Sequence, residues 1–271
     1  MDTITARIPG DLADLAAAVA AGEHLDREAC LRLWRTNDLT SLGVLANGVR
    51  ERLHGDRAVF RGELRVKGAN ELEGALASVR EAAPGELFLE GDDLPRLVQR
   101  AREVRPNLRP RVRCTAAEEL PRLHDAGVRH LVGPAEHGWI EAAARLGFRA
   151  ELTWSVPTGD AADTLLELRR LSDTWPIIDC VTPAIAPLEI ADVTGYNQLR
   201  AIAVARLCLG RIPHIRGAVQ VLGESVMQVA QWYGADDAGG VSLVTGGQPG
   251  LERVRELLRA AGREPAEVLI G

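Results

Sequence analysis

Residues able to do chemistry fall at regular intervals along this chain, each just after a short β-rich run. In order they are Lys67, then Glu90 with Asp92 and Asp93, then Cys114 and Thr115, then Gly133 with Glu136 and His137. Thr153 with Ser155, Asp179 with Thr182, Gln220 with Glu224, and Thr245 with Gly246 and Gly247 complete the series. Glu90, Asp179, Lys67 and Glu224 are the candidate acid–base groups, because a carboxylate or amine can hold or move a proton when its surroundings tune its pKa. Asp92, Thr115, Ser155, Thr182, Gln220, Thr245, Gly246 and Gly247 are the candidate ligand-binding residues. LGES (222–225) and VTGGQPG (244–250) each run into a helix, where backbone N–H groups suit a small anion. Gly246-Gly247 reads equally as a tight turn, and Glu224 would repel an anion. The group Glu90, Asp92 and Asp93 could hold a divalent cation or ribose hydroxyls, or simply start a helix. Asp179, flanked by Ile178 and Cys180, needs a partner such as an arginine on a neighbouring strand.

The elements that must position these residues are strands and helices in alternation. Strands are expected over 58–66, 86–90, 110–115, 128–132, 148–154, 177–181, 215–222 and 240–245, with starts an average of 26 residues apart. Amphipathic helices are expected over 70–83, 93–104, 116–125, 135–146, 160–174, 192–209, 224–233 and 250–262. Eight such units spell an α/β fold, a (β/α)8 TIM-type barrel, whose function gathers at the C-terminal strand ends. Residues 1–55 read as a helical lead-in without strand signal, capped at Asn37 or Asp38 before Leu39–Leu53. No linker divides the 271 residues, so one domain is expected: lead-in 1–55, barrel 56–271.

Composition narrows the function classes. A net charge of −6 argues against a nucleic-acid partner, and no apolar run is long enough to cross a bilayer. The start MDTITARIPGDL lacks the pattern of a signal peptide, so a cytoplasmic location is expected. Cys30, Cys114, Cys180 and Cys208 lie far apart, with neither metal-ligand spacing nor a disulfide framework. Lys67 is the sole lysine, which confines any Schiff-base chemistry to it. The six histidines show no clustering in the sequence; His124, His130 and His214 fall on the bottom of a barrel and His137 on its top. No residues are assigned to a metal. Trp34, Trp139, Trp154, Trp175 and Trp232 are read as packing residues.

Two long stretches carry a family resemblance: TSLGVLANGVRERLHGDRAVF (40–60) and TGYNQLRAIAVARL…IPHIRGAVQVLGESVMQVAQWYGADDAGG (194–240), with AGREP (261–265) at the end. They resemble the radical S-adenosylmethionine enzymes of the futalosine route to menaquinone, the aminofutalosine synthase and dehypoxanthine futalosine cyclase family. The resemblance implies a barrel, and a 4Fe–4S cluster held by C-x3-C-x2-C just after the first strand. Here that region reads FRGELRVKGANELEG (60–74) and holds no cysteine. Without thiolates there is no cluster, and S-adenosylmethionine loses the iron that anchors it. Asn197 and Gln198 stand where the family carries carboxylates, while Arg200 is kept. GAVQV (217–221) replaces aromatic residues, and TPAIAP (182–187) replaces a His-Pro element. GADDAGG (234–240) is kept, its Asp236 and Asp237 read as shaping a turn.

The expectation is therefore a cluster-free, radical-SAM-like pseudoenzyme without a cofactor, a non-radical binding or partner protein linked to menaquinone biosynthesis. Its partners would be a small anionic metabolite at the barrel mouth, a paralogous radical S-adenosylmethionine enzyme, or a second copy in a homo-oligomer. The alternative is a cluster-independent enzyme doing acid–base chemistry on a small carboxylated or phosphorylated metabolite. A third reading is a barrel kept for association alone.

Overall fold

The computed structural model describes residues 12–79, 85–113, 116–156, 160–185, 195–244 and 250–268. Three helices come first: α1 (Ala13–Ala21), α2 (Arg27–Arg35) and α3 (Leu39–His54). Two of their starts and one of their stops have a local cause. The Asp26 carboxylate accepts the Ala29 N–H and the Asp38 carboxylate accepts the Ser41 N–H, so Asp38 rather than Asn37 caps α3. α1 stops at Gly22 in the left-handed region.

The alternation then runs β1 (Arg57–Lys67), α4 (Ala69–Ser78), β2 (Gly85–Glu90), α5 (Leu94–Val104) and β3 (Leu108–Arg113). It continues α6 (Leu120–Asp125), β4 (His130–Pro134), α7 (His137–Arg145), β5 (Arg149–Val156), α8 (Ala162–Thr174) and β6 (Ile178–Ile185). Last come α9 (Gly195–Cys208), β7 (His214–Ile215), α10 (Val219–Ala230), β8 (Asp237–Ser242), α11 (Leu251–Ala260) and β9 (Glu264–Glu267). The strands are parallel in the order β7-β6-β5-β4-β3-β2-β1-β8. A parallel bridge between Arg216 and Asp237 brings β7 to β8 and closes the ring. This is a (β/α)8 TIM-type barrel, with α3 packed along α9. Among the described residues no helix is long and apolar enough to cross a membrane.

Two expectations about elements change. The seventh strand, expected over 215–222, ends at Ile215, and 219–222 is helical. Gly217 donates its N–H to the Asp237 carbonyl, after which Val221 and Leu222 both return their N–H groups to the Ala218 carbonyl. The β-branched Val219 and Val221 favour a strand, but tertiary packing overrides that preference. The tail holds an unexpected strand, β9, which lies parallel to β1 with Arg57 opposite Glu264.

Alternation along each strand sorts its side chains. Leu64, Val66, Leu87, Leu89, Val112, Leu131, Leu152 and Val181 join the apolar layer under the helices with Leu72, Leu97, Val98, Ile140, Leu165 and Ile202. Ala58, Phe60 and Val241 meet Met227, Val254, Leu257 and Leu258 in a second cluster. Each buried leucine contributes about 1.5–3 kcal/mol, so this layer carries the fold. Trp139 and Trp154 are buried there, whereas Trp232 is exposed and lies against the Arg263 guanidinium at 4.5 Å, contrary to a packing role in the core.

Candidate functional site

The opposite side chains of the same strands point into the barrel, and they are charged. β1 contributes Arg61 and Glu63, β2 Glu86, β3 Arg111, β4 His130, β5 Glu151 and β8 Asp237, with Arg216 just past β7; all are buried. Glu151 is the hub. Its Oε1 accepts from Arg61 at 2.6 Å and Arg216 at 2.8 Å, and its Oε2 from Arg111 at 2.7 Å and Arg216 at 2.6 Å. Asp237 Oδ2 accepts from Arg61 at 2.6 Å and from Arg216 at 2.8 and 3.0 Å, while its Oδ1 accepts the Gly239 N–H at 2.6 Å. Glu63 accepts from Arg111 and, at 3.0 Å, from Arg65. Glu86 lies 3.4 Å from Arg111 and 3.9 Å from Arg61.

The backbone has been shaped for this lattice. A Cβ on Gly240 would sit 2.5 Å from the Glu63 carboxyl carbon, and Gly239 holds a φ of +86° beside Arg216. No other residue type fits both demands. The electrostatics follow from burial and pairing. Burial alone would push up the Glu151 carboxyl, but Arg111, Arg216 and Arg61 overcome it and hold it well below the usual range. Asp237 behaves likewise under Arg216 and Arg61, and Glu63 under Arg111 and Arg65. His130 is pushed down by burial, its Nε2 3.5 Å from Glu151. Cys180, whose thiol lies 3.8 Å from Asp237 Oδ2, is pushed up by burial.

Above the lattice, Phe88 lies beneath three guanidiniums, with Arg65, Arg111 and Arg113 at 4.7, 5.0 and 5.7 Å from its ring centre. Arg65 and Arg113 each keep 42 % of the side chain exposed and face the mouth. Glu90 accepts from Arg113 Nε at 3.0 Å and lies 3.9 Å from Arg65. Such a rim can take up an anion through guanidinium N–H groups.

The residues proposed from sequence end up in several places. Lys67 and Glu90 are opposite partners on β1 and β2 at the mouth, as Thr153 and Thr182 are on β5 and β6. Ser155 is exposed and lines a cleft of about 400 Å³ with Asp163 and Glu167 of α8, away from the basic rim. Asp92 is exposed, and Asp93 starts α5 in a left-handed backbone conformation without a side-chain cap. Asp179 pairs with Arg149, whose Nε donates to it at 2.7 Å at the solvent-exposed start of β5. Gln220 lies in the first turn of α10 rather than at a strand end, and Glu224 follows the break that Gly223 (φ +74°) puts in that helix and pairs with Arg253 of α11 at 2.7 Å. Thr115, Thr245, Gly246 and Gly247 lie outside the described residues, as does Cys114. Asp236 and Asp237, read as turn formers, are instead buried ion-pair centres.

The thiols bear on the cluster that the resemblance implies. β1 passes through Gly68 alone into α4. Cys30 on α2 donates its thiol to the Leu25 carbonyl, whereas Cys180 lies in the barrel interior against Asp237. Among the described residues Cys30, Cys180 and Cys208 do not converge, so they do not fit a three-thiolate cage.

No protein-family model matches the chain. Aminodeoxyfutalosine synthase of Thermus thermophilus is 27 % identical over an alignment of 349 positions that takes in 94 % of this chain and 94 % of that protein. With 271 residues, this chain therefore lacks stretches that the relative carries. Cyclic dehypoxanthine futalosine synthase of Streptomyces coelicolor is 37 % identical over 172 positions, covering 56 % of this chain and 43 % of that protein. The crystal structure of methylornithine synthase superposes with a TM-score of 0.71 at 16 % identity, over 93 % of this chain and 97 % of that one. The structural likeness shows the barrel. The two sequence relatives support the resemblance to futalosine-pathway radical S-adenosylmethionine enzymes.

Proposed function

We propose that this chain is a cluster-free relative of those enzymes that binds a small carboxylated or phosphorylated metabolite at the mouth of its barrel, in support of menaquinone biosynthesis, and performs no radical chemistry. The observation that carries the reading is the lattice of Arg61, Arg111 and Arg216 with Glu63, Glu86, Glu151 and Asp237. These groups direct most of their hydrogen bonds at one another, while Arg61 Nε and Arg111 Nε are buried without a hydrogen-bond partner among the described residues. The guanidinium edges of Arg65 and Arg113 remain in contact with solvent at the rim. A β1–α4 junction without thiols supports the cluster-free half of the reading.

The test is a thermal-shift and calorimetry panel of phosphate, nucleosides, aromatic acids derived from chorismate, and S-adenosylmethionine. Anions should raise the melting temperature, and Arg113→Ala should weaken the tightest of them about tenfold, the size of one lost charge-assisted hydrogen bond. Silence across the panel, with stabilisation only by an added paralogue, would replace the metabolite with a protein partner. Anaerobic treatment with iron and sulfide should leave no stoichiometric four-iron chromophore and release no 5′-deoxyadenosine; the opposite result overturns the reading.

One observation favours a second reading, acid–base catalysis. Of the four acid–base candidates, Lys67 and Glu90 share the mouth as register partners, while Asp179 and Glu224 sit elsewhere. Turnover of a panel anion that Glu90→Gln abolishes, with its binding retained, would select this reading.

A further inference from the structure

The bottom of the barrel holds a second polar cluster, separate from the mouth and independent of the function proposed above. His54 ends α3, His214 opens β7, and Asp236 immediately precedes β8. His54 Nε2 lies 3.4 Å from Asp236 Oδ2, and His214 Nδ1 lies 2.5 Å from that same oxygen. The three donor atoms all fall within 4.8 Å of one another. The imidazole rings stack with centres 5.2 Å apart and planes inclined by 20°. The histidines, without clustering in the sequence, are brought together in space by the closing of the ring.

The surroundings fix these donors while leaving them reachable. Asp236 Oδ1 is occupied by the buried Arg206 guanidinium and by the Ile215 N–H at 3.0 Å, so Oδ2 is the oxygen turned to the histidines. Arg206 also donates to the Pro213 carbonyl at 3.1 Å. That carbonyl lies 2.7 Å from His54 Nε2 and keeps a donor when the histidine turns to another partner. His54 and His214 retain 17 % and 31 % side-chain exposure, which gives a hydrated ion a route in.

We propose that His54 Nε2, His214 Nδ1 and Asp236 Oδ2 form a binding site for one zinc-class divalent cation, with a solvent molecule as fourth ligand. Two imidazoles and one carboxylate are a donor set for borderline first-row ions. Tetrahedral donors at zinc bonds of about 2.0–2.1 Å stand roughly 3.3 Å apart, so the His54–Asp236 spacing already fits, and His214 needs to retreat from Asp236 by under about 1 Å while the stacked rings turn to aim both lone pairs at one ion. Arg206 is a positioning residue that orients the carboxylate from behind. The bound ion would join the last turn of α3 to the starts of two strands.

The experiment uses the full chain, free of any affinity tag and stripped with chelator. Cobalt(II) titration followed by visible absorption, and zinc(II) titration followed by calorimetry, should each give one equivalent. His54→Gln and His214→Gln should each weaken zinc at least tenfold, whereas His124→Gln, at a half-buried position elsewhere, should leave it unchanged. Zinc should raise the melting temperature of the wild type but not of the double variant. Should a variant fail to fold, wild-type crystals soaked in zinc and measured at the zinc edge still decide the matter by the position of the anomalous peak. Absence of binding at micromolar zinc, indifference to both substitutions, or a peak away from these three residues overturns the site.

Discussion

Strand β5 carries two ion pairs that use the same chemistry in different solvents. Arg149 meets Asp179 of β6 at the open, solvent-reached start of the strand, with side chains 51 % and 17 % exposed. Two residues on, Glu151 meets Arg61, Arg111 and Arg216 with every partner buried. Water compensates the outer pair when it opens, and salt screens it while it is closed. The inner group is compensated by its own ion pairs rather than by water. A buried lattice of this kind contributes little net stability over apolar packing, yet breaking it leaves charge stranded. The lesson is that the buried interior is committed as a unit, while the solvent-reached strand ends tolerate loss piece by piece.

The sharpest way to break this contrast is Glu151→Leu. It leaves three guanidiniums short of a carboxylate and should destabilise the fold by about 3–5 kcal/mol in urea denaturation. A loss below about 1 kcal/mol would mean that water enters the barrel and solvates the arginines. Acid probes the same lattice without mutation. The carboxyls of Glu63, Glu151 and Asp237 are depressed, so their stabilisation is present above the unfolded value near pH 4 and is lost as pH falls through and below it. His130 is also depressed, so the unfolded chain takes up its proton first and stability begins to fall below about pH 6.5. Urea midpoints at pH 7, 5 and 3 should show a mild decline followed by a steep one; a flat profile contradicts the pairing. The smallest effect belongs to Arg149→Ala, which should change stability by less than about 1 kcal/mol and by less still in high salt.

Much of the fold was legible because hydrophobic periodicity marks helices and strands locally: the expected 58–66 and 86–90 became β1 and β2 with shifts of about a residue. The site was less legible, for a physical reason. Attention to strand ends found Lys67, Glu90, Thr153 and Thr182 at the mouth but passed over the strand interiors. Arg61, Glu63 and Arg65 stand at alternate positions of β1, as do Arg109, Arg111 and Arg113 of β3. Charges with a period of two inside otherwise apolar strands were the available signal of a polar lumen. Which charge meets which was not available. Arg61 and Asp237 are 176 residues apart, and their pairing depends on β1 meeting β8 in the sheet. Gln220 was misplaced by the early end of β7, whereas Glu224 does follow a break at Gly223, and Asp179 has the arginine partner that its strand position demanded.

The seam between the first strand and the last two bears on how the molecule is born. One side of β1 pairs with β8, and its first residues lie along β9. While the polypeptide is still being made, β1 therefore has only β2 to zip onto; Arg61 meets Glu151 from 90 residues downstream but Asp237 only from 176, and the unsatisfied edge of the strand waits for β8. Assembly of the ring is in this sense a late event on the ribosome's timetable, and a nascent barrel of this design is the form most in need of a chaperone's shelter.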